Sequence, residues 1–311
     1  MTEDRAETGA GAAPAPVCYR HTDRETWVSC TRCSRPICPD CMREASVGFQ
    51  CPECVREGAK SVRVARTAFG GSLDGAEGLV TKILLGLNVG LFVLTVLIAA
   101  ARGVDNAMRT LTGQSGSSEL YDWFAMIPLA LDGRTGQVIG VADGEYWRLV
   151  TAGFLHYGLI HLLFNMWALW ILGREAERMV GRWRFVAVYL LSGLGGTVAV
   201  YLLGQTNAAV AGASGSIFGL FGALFFFFRK LNLDPRGIVM IVVLNFGLGL
   251  FIANISWLGH LGGLVIGAVT GALLAYAPSG PKRTTIQVAG LVIVGLALVG
   301  LVLVRTAQLT G

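Results

Sequence analysis

Residues 212–230 read GASGSIFGLFGALFFFFRK, a mostly apolar stretch that carries no charge before its two final basic residues. A helix needs about 20 such residues to cross the hydrocarbon core of a bilayer, and only a helix satisfies all of its own backbone hydrogen bonds there. The glycines along the stretch would allow a neighbouring helix to approach closely. The sequence therefore predicts a membrane-spanning helix that has Ser214 in its first turn.

Further stretches of this kind predict a polytopic, all-α membrane protein. The 311 residues are 53% hydrophobic and only 14% charged, a balance far from that of ordinary soluble domains. An insert over 102–147 separates the first two spans, and its Trp123 and Trp147 are expected at the membrane interface. The seven predicted spans run approximately over 83–101, 156–173, 185–204, 213–228, 237–253, 256–277 and 285–304.

The basic residues predict the orientation of the chain. Lys and Arg cluster after the second, fourth and sixth spans, whereas the loops 205–212 and 254–255 carry none. Because cytoplasmic loops are enriched in basic residues, the N-terminus is predicted to be inside and the C-terminus outside. This topology accounts for the formal net charge of +5, so no nucleic-acid partner is expected. A transporter is disfavoured, since no charged residue falls at the predicted midplane.

A few polar side chains within the predicted spans converge at one depth. Ser214 opens the fourth span, and His260 lies in the sixth. His161 and Asn165 lie four residues apart on one face of the second. The sequence therefore predicts Ser214 as a nucleophile and His260 as its general base. His161, Asn165 and the Ser214 N–H would stabilise an oxyanion, while His156 is either part of this site or an interface residue.

Five short motifs follow one another along the chain, and together they resemble the successive signatures of rhomboid proteases over about residues 80–278. The motifs are Glu145-Tyr146-Trp147-Arg148, His156 with His161-x-x-x-Asn165, Gly173-x-x-x-Glu177-x-x-x-Gly181, Gly212-Ala213-Ser214-Gly215 and Gly259-His260-x-x-Gly263. The resemblance implies a six-helix core and a Ser–His dyad that works without a carboxylate or a cofactor. It also implies an intramembrane serine endopeptidase that acts on transmembrane proteins.

Two features depart from the pattern of the family. Many relatives have a tyrosine four residues after the nucleophile, whereas this chain has Phe218, which keeps a ring to stack on the histidine but lacks the hydroxyl. The predicted seventh span lies beyond the six-helix core and resembles the extra C-terminal helix of some relatives. The alternative function is that of a non-catalytic rhomboid-like adaptor that binds membrane-protein clients. Such adaptors lack the nucleophile or the histidine, and both are present here.

All seven cysteines of the chain lie ahead of the first span, and together with one histidine they form four pairs spaced as metal ligands. Eight ligands of these types suit two tetrahedral structural zinc ions. The spacing resembles a B-box type of cross-braced finger, in which the first and third pairs share one ion and the second and fourth pairs the other. A sequential arrangement of the pairs is left open. The predicted ligands are Cys18, His21, Cys30, Cys33, Cys38, Cys41, Cys51 and Cys54.

These features predict five segments: a disordered tail over 1–16, a B-box-like double zinc finger over 17–55, a linker over 56–80, a rhomboid core over 81–278, and the seventh helix with the C-terminus over 279–311. The zinc module is expected in the reducing cytoplasm, where thiols stay free to bind metal and where it could recruit a cytoplasmic protein. We expect a multi-pass protein of a prokaryotic plasma membrane.

Overall fold

A computed structural model describes residues 14–61, 66–71, 78–114, 119–133, 135–249 and 256–311. The chain divides into two compact units, Met1–Val64 and Ala65–Gly311. Most of the predicted tail lies outside the described residues, as do the loop 254–255 and the end of the fifth predicted span.

The first unit has little regular secondary structure. Its strands β1 (Arg43–Glu44) and β2 (Phe49–Gln50) pair antiparallel, and the helix α1 (Pro52–Ser61) follows them. The buried interior of the unit consists of six cysteines together with Ile37. An apolar core of this size is too small to stabilise a fold alone, so metal ligation is the interaction that the cysteines suggest.

The second unit is helical, and helices lie at all seven positions where spans were predicted. A hairpin of β3 (Ala130–Leu131) with β4 (Val138–Ile139) lies in the insert between the first two predicted spans. The helices are α2 (Leu79–Ala100), α3 (Val104–Thr112), α4 (Glu119–Phe124), α5 (Arg148–Thr151), α6 (Leu159–Val180), α7 (Arg182–Leu203), α8 (Ser214–Lys230), α9 (Arg236–Gly249), α10 (Trp257–Tyr276) and α11 (Arg283–Thr310).

The helices differ in how well they fit a bilayer. Among the described residues, α2, α7, α10 and α11 are long and apolar enough to cross a membrane. A fifth span results if Arg148–Phe154 and α6 are taken as one broken helix with a bend of 91°. The helices α8 and α9 are shorter, with 17 and 14 residues. The chain is thus a mostly helical, multi-pass membrane protein. It contains two short helices, α8 and α9, and one broken helix that ends in α6.

One predicted boundary is wrong in a way that matters for the site. The second span was expected to begin at His156, but α6 begins at Leu159. Gly158, with a φ of +88°, turns the chain directly before the helix. His156 therefore lies in the connection that precedes α6 rather than within a span.

The helices α8 and α10 are held together through glycine. A Cβ added at Gly263 would lie 2.0 Å from the carbonyl oxygen of Gly215, and one at Gly267 would lie 2.0 Å from that of Gly219. No larger residue fits at such distances, so the two backbones are in direct contact. Because of this contact, the first turns of α8 and α10 are neighbours.

Candidate active site and metal sites

Ser214 is the first residue of α8, and the chain is firmly fixed just before it. The N–H of Gly212 donates a hydrogen bond to the carbonyl oxygen of Ala152 at 2.9 Å, and its φ of +138° directs the chain into the helix. The N–H groups of a first helical turn have no acceptor within the helix. The Ser214 N–H is therefore available to an anion placed there, at the positive end of the helix dipole.

His161 of α6 packs against the turn that precedes Ser214. A Cβ built on Gly212 would lie 2.8 Å from Cε1 and 2.9 Å from Nε2 of His161, and 3.6 Å from Oγ of Ser214. The imidazole of His161 and the hydroxyl of Ser214 therefore both lie beside the Cα of Gly212. A side chain at this position would collide with His161, so only glycine fits there. The structure brings together these residues of the second and fourth predicted spans.

His260 is held on the Ser214 side of α8 by an aromatic stack. The rings of Phe218 and His260 lie 4.1 Å apart between centroids with an interplanar angle of 11°. Phe246 of α9 contacts Phe218 edge to face at 5.2 Å. Phe218 follows Ser214 by one helical turn, so both side chains lie on one face of α8. The stack expected for Phe218 is present.

Ser214 and His260 each lie next to a point where α8 and α10 touch, since a Cβ built on Gly215 would lie 3.5 Å from the carbonyl oxygen of Gly259. Within the described part of the chain, no hydrogen bond joins Oγ of Ser214 to a ring nitrogen of His260. The contact between α8 and α10 therefore brings together the helix turns that carry the two side chains.

Asn165 and His156 both border the site. The amide of Asn165 donates one hydrogen bond to the carbonyl oxygen of His161 at 3.0 Å, which leaves its second N–H for another acceptor. His156 is buried, and its ring lies 5.2 Å from that of His161. Neither ring nitrogen of His156 makes a hydrogen bond to another described residue. Of the two alternatives for His156, the structure favours a place beside the site.

A small cavity opens next to Ser214. It has a volume of about 40 Å³, which is enough for a water molecule or a small side chain. Ser256, which also caps α10 by accepting a hydrogen bond from the N–H of Gly259 at 3.2 Å, was not predicted here. A serine directly before an apolar run is the sequence signal that could have indicated this cap. The lining includes Gly153, Gly193, Gly196, Thr197, Gly212, Ser214, Ser256 and Gly259.

A buried ion pair and two further hydrogen bonds hold together the insert before α6. Arg148 is almost fully buried, and its Nε donates to Oε2 of Glu145 at 2.7 Å. Its Nη1 donates to the carbonyl oxygen of Ala125 at 2.9 Å, and the Trp147 indole donates to that of Trp123 at 3.1 Å. These bonds hold the motif over 145–148 against the segment 123–125 of the insert.

Glu177 stabilises a neighbouring helix. Its carboxylate accepts hydrogen bonds from the N–H of Val80 at 3.0 Å, and from the N–H and hydroxyl of Thr81 at 2.9 and 2.8 Å. A carboxylate at these unpaired N–H groups caps the start of α2. The motif that contains Glu177 does not by itself identify α2 as the partner helix.

The first unit contains two clusters of metal ligands, built from alternating pairs. Cys18, His21, Cys38 and Cys41 form one cluster, and Cys30, Cys33, Cys51 and Cys54 form the other, with all ligand atoms of a cluster within 4.8 Å of one another. This is the cross-braced arrangement, one of the two left open by the sequence.

The dimensions of the clusters fit zinc. Tetrahedral bonds of about 2.3 Å to sulfur place two sulfur ligands about 3.8 Å apart. The Sγ atoms of Cys33 and Cys51 are 3.8 Å apart, and Nδ1 of His21 lies 3.3 and 3.5 Å from the Sγ atoms of Cys38 and Cys41. The donor sets Cys₃His and Cys₄ are those of structural zinc sites.

The thiols differ in acidity. Burial raises the pKa of Cys18 and Cys30, but hydrogen bonds from backbone N–H groups outweigh burial and bring both to about 6. Burial, reinforced by neighbouring thiols, raises the pKa of Cys41 to about 11 and that of Cys54 to about 12. Since zinc binds thiolates, metal binding must displace the protons of Cys41 and Cys54.

Comparison with known proteins shows which family this chain is similar to. The model of the Rhomboid domain matches residues 143–277, which include Ser214 and His260. Rhomboid protease GluP of Bacillus subtilis is 40% identical over 49% of this chain, and the putative rhomboid protease YdcA of the same organism is 39% identical over 42%. Rhomboid-type serine protease 2 of Emericella nidulans is 32% identical over 46%. The matches cover 31% of the first relative, 68% of the second and 29% of the third.

Proposed function

This chain belongs to the rhomboid family, and on that basis we propose that it is an intramembrane serine endopeptidase. Its substrates would be other membrane proteins, cleaved in or near their transmembrane segments. The proposal depends above all on one observation, the convergence of His161, the first turn of α8 and the His260–Phe218 stack around Ser214.

In the proposed reaction, Ser214 attacks the carbonyl carbon of the scissile peptide bond. His260 accepts the hydroxyl proton as the Oγ–C bond forms, and it later gives that proton to the departing amine. An acyl-enzyme on Ser214 results, and a water molecule that His260 deprotonates hydrolyses it. No third residue is needed to orient the imidazole, because the stack on Phe218 at 4.1 Å already restricts the rotation of the ring.

The negative charge that develops on the substrate oxygen would be stabilised by three donors. They are the N–H of Ser214, the imidazole of His161 and the remaining N–H of Asn165. The first has no acceptor within α8, and the other two lie on the helix that packs against Gly212. Donors fixed in advance in this way lower the energy of the transition state more than that of the ground state.

The cavity beside Ser214 supports a preference for small side chains at the cleavage site. Its volume of about 40 Å³ and its glycine-rich lining leave room for little more than a methyl or hydroxymethyl group. A substrate with a large residue at that position would have to displace backbone atoms of α7 or α10. Helix-destabilising sequence near the cleavage site is expected as well, because the peptide must be extended to reach Ser214.

Zinc in the two clusters of the first unit would be structural, held by the eight predicted ligands. When bound, it would cross-link segments whose apolar core is too small to fold alone. With the N-terminus inside, this unit would face the cytoplasm and offer a surface to a cytoplasmic protein, whereas Ser214 would lie near the outer surface of the membrane.

The proposal is tested with purified full-length protein in liposomes and a model transmembrane substrate. Cleavage by the unaltered chain should fall to background in Ser214→Ala and in His260→Ala, provided that both variants keep the unaltered melting temperature. Equal cleavage by all three proteins would refute the protease assignment. Binding of the intact substrate by all three, with no cleavage by any, would instead support the adaptor alternative.

A further inference from the structure

A buried arginine lies where α7 and α11 begin side by side. Arg184 is 2% exposed, and its Nε donates to Oε1 of Gln287 at 2.8 Å. Its Nη2 lies 3.4 Å from the hydroxyl of Thr284. Both partners are neutral, and no carboxylate among the described residues pairs with this guanidinium. A charge buried without a counter-ion is unfavourable, so the fold leaves a negative charge to be supplied from elsewhere.

Further positive charge surrounds Arg184. A Cβ built on Gly70 would lie 3.4 Å from Nη2 of Arg184 and 3.8 Å from Nε of Arg283, so two guanidinium groups flank one glycine. The Nε of Arg283 is buried and makes no hydrogen bond to any described residue. Lys282 precedes it and is exposed. Arg184, Arg283 and the sequence neighbour Lys282 are called the basic cluster, and no carboxylate in the described chain forms an ion pair with any of them.

The local structure holds these cations in place. Gln287, which orients Arg184, donates to the carbonyl oxygens of Phe69 at 3.2 Å and Leu274 at 3.1 Å. Phe69 is buried against Phe227, with the rings 4.8 Å apart. The basic cluster is therefore part of a packed junction between the turn at 66–71 and four helices, α7, α8, α10 and α11.

The surroundings of the cluster match the headgroup region of a membrane. The guanidinium of Arg184 lies over the ring of Trp183, 4.3 Å from its centroid, and this ring is 42% exposed. Tryptophan is enriched at the depth of lipid headgroups. The long apolar helices α7 and α11 both lead away from the cluster, which puts it at one end of their spans. By the distribution of basic residues this end faces the cytoplasm, where membranes carry anionic lipids.

We propose that the basic cluster of Arg184, Lys282 and Arg283 binds the phosphate headgroup of an anionic phospholipid. A phosphate oxygen would accept a hydrogen bond from Arg283, while Lys282 and the buried Arg184 would attract it electrostatically, and the acyl chains would lie along the exposed apolar faces of α7 and α11. The lipid would supply the negative charge that the protein lacks at this junction. The site is independent of Ser214 and does not rest on the proposed peptidase activity.

Native mass spectrometry of the delipidated full-length protein tests the proposal. The protein is titrated with phosphatidylglycerol, with phosphatidylcholine of the same acyl chains, and with inorganic phosphate as a soluble anion. Arg283→Gln removes one cation of the cluster. Lys282→Gln is a second variant, needed because Arg283 also donates to the carbonyl oxygen of Ala68 at 3.2 Å and its loss could loosen the turn. Arg229→Gln is the matched control, since Arg229 is an exposed basic residue at the end of α8.

The unaltered protein should retain one phosphatidylglycerol with clear preference over phosphatidylcholine. Each cluster variant should weaken that binding about fivefold, because it removes about 1 kcal/mol of attraction between one basic residue and the bound anionic headgroup. Arg229→Gln should leave it unchanged. Equal retention of the two lipids, or an equal loss in Arg229→Gln, would overturn the proposal. Displacement of the lipid by an equal concentration of inorganic phosphate would mean a site for a soluble anion and would also overturn it.

Discussion

Replacement of Gly263 by alanine should separate Ser214 from His260. The new Cβ would lie 2.0 Å from the carbonyl oxygen of Gly215, a distance that real Cβ atoms do not adopt. The helices α8 and α10 would have to move apart by about 1 Å, at a cost of about 1–3 kcal/mol in stability. His260 lies one turn from Gly263, and Ser214 is next to Gly215, so the same displacement acts on the proposed dyad.

A misplacement of about 1 Å between reacting groups lowers rates by about 100-fold. We therefore expect Gly263→Ala to reduce kcat/KM for a transmembrane substrate by about that factor, measured in liposomes on protein that remains folded. Gly90→Ala in α2 is the matched control, because nothing lies within 4 Å of a Cβ at that position. A folded Gly263→Ala protein with the kcat/KM of the unaltered chain would refute the argument that glycine contacts align the dyad.

Three further outcomes follow from the site, the helix cap and the metal clusters. His161→Ala and Asn165→Ala should each lower kcat by about 100–1,000-fold with little change in KM, whereas equal losses of substrate affinity would point to a binding role. Glu177→Gln should lower the free energy of unfolding by about 1.5–3 kcal/mol, because the hydrogen bonds to Thr81 lose their charged acceptor. The loss should appear as a lower melting temperature, and the kcat of the folded protein should be unchanged. Burial raises the pKa of the Cys54 thiol to about 12, so zinc must displace its proton. Apparent zinc affinity of the full chain should therefore fall by a factor of about 10 or more for each pH unit lowered between pH 9 and 7, and a pH-independent affinity would contradict this ligand.

The sequence predicted the parts of the site that depend on residue type and spacing. Ser214, His260, His161 and Asn165 stand in motifs whose order defines the resemblance, and apolar length placed them on helices. The glycines of the stretch 212–230 indicated that a neighbouring helix packs closely against it. Metal-ligand spacing likewise predicted the eight residues that form the two Cys/His clusters, although it left their pairing open.

What the sequence did not predict depends on contacts between distant segments. The start of α6 was misplaced because the turn at Gly158 leaves no mark in hydropathy. The bond from Gln287 to Phe69 joins residues 218 positions apart, and no local pattern encodes such a pair. Ser256 was overlooked because a single serine before an apolar run is far more often a helix cap than a cavity wall.

The most direct test of the central claim is covalent labelling with a fluorophosphonate, followed by peptide mass spectrometry. A serine made nucleophilic by an adjacent base reacts with this reagent, whereas ordinary serines do not. The account predicts one adduct per chain, located on Ser214 and absent from His260→Ala protein that is still folded. An adduct on a different serine, or undiminished labelling of Ser214 without the His260 imidazole, would contradict it.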